Sequence, residues 1–421
     1  MIVIENALVL RATGVELAAV VIEGDRVTSV GSVASANGAT VIDAGGAWVG
    51  PGLVDLHVHF REPGQTWKED LGSGARSAAA GGFTAVVTMP NTDPPIDSGP
   101  RAVEAITRAG LVDSVDIAVA GALTKGRAGV EISDLDAMYE AGVRIFTDDG
   151  DSVPDGGLLR RIMSYLGDLP GALVAEHPED CSMTMNGHMH EGAMSARHGL
   201  VGLPGVGEDV IVARDIAIAR DTGARLHLQH LSTASSVDLV RQARATGVAV
   251  TAEVTPHHLA LDDASLERLD PNLKMYPPLR APADRAAVIT GLRQGVIDAV
   301  ATDHAPHTAA EKAVPFEQAP RGVIGLETAA ALTCVALNGD QAVFFDRLST
   351  APARIAGLAR HGMAVEPGAP ANLVLFDPGQ TWVPRAFASR SANSPFTGKE
   401  LVGKVLMTIH DGRISYEGGQ G

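Results

Sequence analysis

Short apolar runs rich in β-branched residues recur through the middle of the chain, and each is followed by a stretch whose apolar positions repeat with helical spacing. The runs are LVDLHVH, FTAVVTMP, VDIAVAGA, VRIFTDD, ALVAEH, RLHLQH, VAVTAEV and IDAVATD. Near-continuous hydrophobicity is the mark of strands covered on both faces, and eight such strands alternating with helices predict a closed parallel (β/α)8 barrel of the TIM type. Helices are expected at 69–80, 208–222 and 236–246. The second places Val210, Ile211, Ala213, Ile216, Ala217 and Ile218 against charges at Arg214, Asp215 and Arg220, the amphipathic pattern of a barrel-flanking helix. Longer loops fall at 92–100, 178–207, 261–282 and 304–322, all after the carboxyl ends of strands.

The two ends of the chain carry a different pattern. IVIENALVL and LAAVVIEGDRVTSVG alternate with a period of two, as do ANLVLFD, GKVLMTIH and RISYEG near the other end, with Gly24-Asp25 and Asp411-Gly412 as turns. Each piece is short for a sheet with its own core, so the two are expected to pack together as one small β-sandwich. The expected division is 1–52 for the first part of the sandwich, 53–345 for the barrel, and 346–421 for a linking helix and the second part.

A length of 421 residues suits a barrel of about 250 with an accessory domain. Lys and Arg total 33 against 50 Asp and Glu, a formal charge of −17 that argues against nucleic-acid or anionic-membrane partners. Cys181 and Cys334 are the only cysteines, too few and too far apart for a disulfide framework or a zinc finger, and both are expected to be buried. MIVIENALVL has no basic n-region and no run is long enough to span a bilayer, so the expected location is the cytoplasm.

Catalytic groups in such barrels sit at the carboxyl ends of strands, and the polar residues there form a set. His57 and His59 close the first strand, Asp149 follows the fourth, His177 the fifth, His230 the sixth and Asp303 the eighth. A His-x-His pair on a strand puts both rings on one face. Six donors exceed what one catalytic zinc takes, so two ions are expected: His57, His59 and Asp303 on one, His177 and His230 on the other, Asp149 bridging. Zinc lowers the pKa of bound water from about 15.7 to about 7, which supplies a nucleophile for hydrolysis. Asp303 has a second expected role, taking the proton from that nucleophile and handing it to the departing nitrogen. Asp148 stands beside Asp149 and alternation lets only one of them face the metals, with Asp149 favoured. Arg61, two residues past His59, can hold a substrate carboxylate. Asn91 can add a hydrogen bond or simply form a turn, and His307 can close over the substrate. His188 and His190 lie in a polar loop off any strand, and His257 and His258 read as supporting groups; none of these four is expected to bind metal.

At these residues the chain resembles the amidohydrolase superfamily, and within it the bacterial class I dihydroorotases. PGLVDLHVHFREPG, GGFTAVVTMPNTDP, FTDDG, AEVTPHHL, PPLR, ATDHAPH, GLETA and SRSANSPF carry the likeness over essentially the whole length. The resemblance implies reversible cyclisation of N-carbamoyl-L-aspartate to (S)-dihydroorotate in pyrimidine synthesis, with two zinc ions. It implies substrate contacts from His59, Arg61, Asn91, His307 and Gly322. In hydantoinases and allantoinases the bridging ligand is usually a carboxylated lysine, whereas FTDDG offers Asp149. Two positions depart from the pattern: Tyr276 stands where the family commonly has Asn, and Arg321 where it usually has Pro or Phe. Tyr276 favours the runner-up, a sister enzyme acting on another cyclic amide. A catalytically silent assembly subunit, as some chains of this kind form with aspartate transcarbamoylase, would have no reason to keep every ligand. The resemblance leaves open a homo-oligomer and that partnership.

Overall fold

The computed structural model describes residues 1–31 and 38–418. The amino-terminal part of the chain supplies β1 (Ile2–Arg11), β2 (Gly14–Glu23), β3 (Arg26–Gly31), β4 (Thr40–Asp43) and β5 (Trp48–Pro51). The barrel follows with β6 (Leu53–Val58), β7 (Phe83–Thr88), β8 (Asp116–Val119), β9 (Ile145–Phe146) and β10 (Leu173–Glu176). After a short pair, β11 (Met189–His190) and β12 (Gly202–Leu203), it continues with β13 (Leu226–Leu228), β14 (Val250–Val254) and β15 (Ala299–Val300). The chain ends with β16 (Leu373–Trp382), β17 (Leu401–His410) and β18 (Arg413–Glu417).

All eight barrel strands fall on the runs read from the sequence. They pair in parallel as β6-β7-β8 and β9-β10-β13-β14-β15, and single bridges from Gly121 to Phe146 and from Val58 to His304 close the ring. Every residue of β6 and β7 is buried, because helices cover the outside while Leu56, Val87, Ile145, Leu173 and Ala299 fill the inside. The flanking helices are Leu71–Ala80, Val206–Thr222 and Ala234–Ala245, within two residues of expectation. The first begins late for a reason: Asp70 caps it in a reciprocal box with Ser73, and Glu69 is left free to turn toward the barrel mouth.

The terminal strands form one sheet in the order β18-β17-β16-β5-β1-β2-β3, with β4 also paired to β1. Ile4, Val20 and Val27 from one end of that order meet Leu373, Met407 and Ile409 from the other in a single core. The sheet therefore folds over itself as the small sandwich the alternation predicted. Asp411 and Gly412 both take positive φ between β17 and β18, the geometry of a two-residue hairpin turn. Trp48, Phe344, Phe345 and Phe376 join sandwich to barrel, with Phe344 and Phe376 stacked at 5.0 Å. Gly50 is required there, since a Cβ would lie 2.4 Å from the Phe345 ring.

Three of the long loops are more ordered than expected; the one after β14 contains short turns at Asp263–Arg268 and Pro271–Leu273. The stretch after β10 contains helices Cys181–Thr184 and Ala193–His198 beside the β11–β12 pair, and the one after β15 contains Ala309–Lys312. Elements of two to six residues are too short to display a period, which is why they read as irregular. These segments share an apolar cluster of Met189, Leu273, Met275, Leu279, Phe316 and Val323. Cys181 is exposed at the start of its short helix, against expectation, whereas Cys334 is buried as expected. No helix among the described residues is long and apolar enough to cross a membrane.

Candidate metal centre and substrate cavity

The six residues singled out at the strand ends come together at the barrel mouth, all buried. His57 Nε2 lies 3.1 Å from Asp149 Oδ1 and 3.6 Å from Asp303 Oδ1, and His59 Nε2 lies 2.9 Å from Asp303 Oδ1 and 3.5 Å from Asp149 Oδ2. On the other side of Asp149, His177 Nδ1 and His230 Nε2 are 2.9 Å apart and within 3.7 and 3.8 Å of Oδ1. Two sets, His57-His59-Asp303 and His57-Asp149-His230, have one donor atom each within 4.8 Å of one another. Donors held about 2.0–2.2 Å from a tetrahedral zinc are separated by roughly 3.3 Å, so this spacing fits a metal. Among the described residues, His57 Nε2, His177 Nε2 and His230 Nδ1 are buried without a hydrogen-bond partner.

The electrostatics agree with that fit. Burial alone would raise the Asp149 and Asp303 carboxyls, yet the surrounding histidines hold both well below the ordinary carboxylate range. Burial works against a charged His57, but Asp149, Glu253 and Asp303 push its pKa well up. The mouth is thus a focus of negative potential aimed at one small volume, which is what a divalent cation requires. The neighbouring Asp148 points away, accepting from the Thr124 backbone N–H at 3.1 Å and from the Thr124 hydroxyl. Of the two aspartates it is Asp149 whose side chain faces the cluster.

His188 and His190 belong to neither donor set; His190 lies on β11 rather than off any strand. His258 is held at 2.7 Å from Thr255 Oγ1 and 3.2 Å from the Pro277 carbonyl, a structural position.

Several supporting residues escaped the sequence. Glu253, on β14, accepts from His57 Nδ1 and from His227 Nε2, each at 3.0 Å, and so turns His57 Nε2 toward the cluster. Asp55 accepts from the backbone N–H groups of His57 and Thr302, both at 3.0 Å, tying the first barrel strand to the last. Burial pushes the Asp55 carboxyl up to about 7. Glu69 accepts from His304 at 3.2 Å and from the Ser389 hydroxyl. A charged residue inside a strand run was the available signal for Asp55 and Glu253; Glu69 gave none.

Above the cluster lies a cavity of about 290 Å³ lined by His59, Arg61, Asn91, His307, Gly322 and Tyr276, with Arg321 at its edge. All five residues expected to contact substrate reach it. Asn91 Oδ1 is 2.9 Å from His59 Nδ1, so its amide orients that ring rather than merely forming a turn. Among the described residues the Arg61 side chain makes one hydrogen bond, from Nε to the Pro306 carbonyl at 3.4 Å, which leaves the remainder of its fork available. Asn393, in the segment between β16 and β17, accepts from His307 N–H and donates to the carbonyls of Ala305 and Gly322. The sandwich thereby fixes the loop that carries His307.

A barrel of this topology with clustered histidine and aspartate donors at its carboxyl end has the form of a metal-dependent hydrolase. The solved structure of L-hydantoinase from Arthrobacter aurescens superposes with a TM-score of 0.88 over 100% of this chain and 96% of its own, at 24% identity, a likeness of fold. The dihydro-orotase-like family profile matches residues 46–236. Dihydroorotase of Pelotomaculum thermopropionicum is 44% identical across 92% of both chains, and that of Mycobacterium leprae 42% identical across 95% of both. The chain belongs to the dihydroorotase family.

Proposed function

We propose that the protein is a zinc-dependent dihydroorotase that interconverts N-carbamoyl-L-aspartate and (S)-dihydroorotate. The observation that carries this reading is the meeting, at one cavity, of two histidine–aspartate donor sets with a half-buried arginine whose side chain makes a single hydrogen bond among the described residues. His57, His59 and Asp303 would hold one ion, His177 and His230 a second, with Asp149 shared. When bound, the ions supply charge that polarises the amide carbonyl and acidifies water. The chain's own residues do the rest. Arg61 receives the carboxylate in its planar fork, helped by Asn91 and the Gly322 backbone. Asp303, kept ionised by its histidine neighbours, takes the proton of the attacking water and passes it to the ring nitrogen as the amide opens.

We place the enzyme in the cytoplasm and take 1–52 with 346–421 as one structural unit around the barrel 53–345. A homo-oligomer and an assembly with aspartate transcarbamoylase follow from family resemblance alone; light scattering with and without that enzyme tests both. The deciding assay is turnover of dihydroorotate, hydantoin and allantoin side by side, before and after chelation and zinc replacement. Dihydroorotate should be the best substrate, with activity lost on chelation and restored by zinc. Arg61→Met should lower kcat/KM for dihydroorotate by at least about a hundredfold and affect hydantoin far less, because only the former carries the carboxylate. Preference for hydantoin in the unmutated enzyme, or full activity without metal, would overturn the assignment.

A further inference from the structure

Asp149 lies beyond β9, a strand of only two residues, and just before Gly150, so little regular structure holds it. What grips its backbone comes from the loop after β8. There the chain makes the short turn Lys125–Arg127, in which Gly126 N–H donates to Asp97 Oδ2 at 2.7 Å. Arg127 reaches from that turn across to the end of β9. Its Nε and Nη2 donate to the Asp148 carbonyl at 3.3 and 3.1 Å, and Nη2 donates to the Asp149 carbonyl at 2.6 Å. Nη2 also meets Asp151 Oδ2 at 3.0 Å.

The two carbonyls belong to the peptide units on either side of the Asp149 Cα. Each unit is planar, so holding both sets φ and ψ of Asp149 and with them the direction in which its carboxylate leaves the chain. The unit before Asp149 has other support. Asp149 N–H donates to the Thr147 hydroxyl at 3.0 Å, and Asp151 N–H to the Asp148 carbonyl at 3.1 Å. The unit after it has, among the described residues, only Arg127 and a longer contact from Asn91 Nδ2 at 3.4 Å, a nitrogen equally far from Asp149 Oδ2. Gly150 follows with φ +90° and no side chain to resist rotation, and a Cβ there would lie 3.2 Å from Arg127 Nη2.

We infer that Arg127 is the positioning residue of Asp149: its guanidinium locks the Asp149–Gly150 peptide and thereby aims the carboxylate at the histidines on both sides. Arg127 belongs to neither donor set and does not line the substrate cavity. Its side chain instead borders a separate cavity of about 460 Å³, shared with Asp151, Cys181 and Arg214, through which a small cation can reach the same carbonyls. The rigid planar fork matters, because a lysine ammonium is a point charge on a flexible stem and does not reproduce it.

The inference rests on the reading of Asp149 as the shared metal ligand, and the test separates the two. Zinc affinity is measured by competition with a chromophoric chelator in the parent, Asp149→Asn, Arg127→Ala, Arg127→Lys and Asp151→Asn, each first checked for a cooperative thermal melt without metal. Arg127→Ala should hold zinc about 10–100-fold more weakly, the usual loss when an outer partner of a metal ligand is removed. Millimolar guanidinium should recover most of that loss, and sodium chloride at the same concentration should not. Arg127→Lys should fall between alanine and the parent, and it carries the test if the alanine variant does not fold. Asp151→Asn should stay within about threefold of the parent, since the Asp151 side chain is 55% exposed. Parent affinity in either arginine variant, a loss that guanidinium does not repair or that salt repairs equally, or a loss in Asp151→Asn as large as in Arg127→Ala would overturn the inference. Zinc held as tightly by Asp149→Asn as by the parent would instead sink the shared-ligand reading, and the inference with it.

Discussion

Glu253→Gln removes one negative charge and almost no volume from a site that never touches substrate. In the parent, both carboxylate oxygens accept hydrogen bonds at 3.0 Å, from His57 Nδ1 and His227 Nε2, and the two histidines hold the carboxyl down to about 2 against the effect of burial. The amide keeps an oxygen for His57, while its NH2 must face His227, which can accept by moving its own proton to Nδ1 beside Thr251 Oγ1 at 2.8 Å. The geometry survives and the charge assistance is lost. A hydrogen bond to a charged group contributes about 1.5–3 kcal/mol and a neutral one about 0.5–1.5, so the orientation of His57 weakens by roughly 1–1.5 kcal/mol. Removing an outer partner of a metal-ligating histidine typically costs 10–100-fold in affinity, about 1.4–2.7 kcal/mol, and the two figures overlap. Competition with a chromophoric chelator should therefore show zinc held about 10–100-fold more weakly, with kcat at saturating zinc within about threefold of the parent. Unchanged zinc affinity would refute the reasoning, and so would a kcat that stays low however much zinc is added.

Asp303→Asn should reduce kcat by at least about a thousandfold while zinc analysis still finds the ion at His177 and His230, because the proton carrier is gone and those ligands are not. Gly322→Ala should raise KM at least about tenfold: Gly322 has φ +125° and an added Cβ would sit 2.6 Å from the Ala305 side chain and 3.3 Å from His307 Nε2. At the base of the barrel Asp116 lies 2.7 Å from His361 and 3.2 Å from His410, which tie it to the sandwich. Burial opposes a charged His410, but Asp116 raises its pKa above 6.5, while the same contacts lower that of Asp116. The raised histidine contributes stability that is complete below 6.5 and fades as pH climbs through its folded value; the lowered carboxyl contributes above about 4 and fades below. Asp116→Asn should accordingly lower Tm more at pH 5.5 than at pH 9, and an equal loss at both would show that charge plays no part.

What the chain disclosed beforehand depended on how local each signal was. His57 and His59 announce themselves two residues apart on one strand, and Asp149, His177, His230 and Asp303 each terminate an apolar run. Position on a strand end is a property of a few neighbouring residues, so barrel and centre could be read together. Glu253 reaches His57 across 196 residues, Asp55 reaches Thr302 across 247, and Glu69 reaches Ser389 across 320. No periodicity records such a partner. Cys181 misled for a similar reason: a small apolar side chain says nothing about whether the four-residue helix that carries it lies inside or outside.

The grip of Asn393 on Ala305, His307 and Gly322 has a consequence for biosynthesis. A chain made from its amino end has released every metal-binding candidate by residue 303, yet Asn393, which steadies the roof, arrives 90 positions later, and Ser389, which completes the anchor on Glu69, 86 positions later. Every candidate ligand is therefore synthesised before the residues that hold the substrate loop in place. The last pieces of the substrate pocket are thus supplied by the final tenth of the chain.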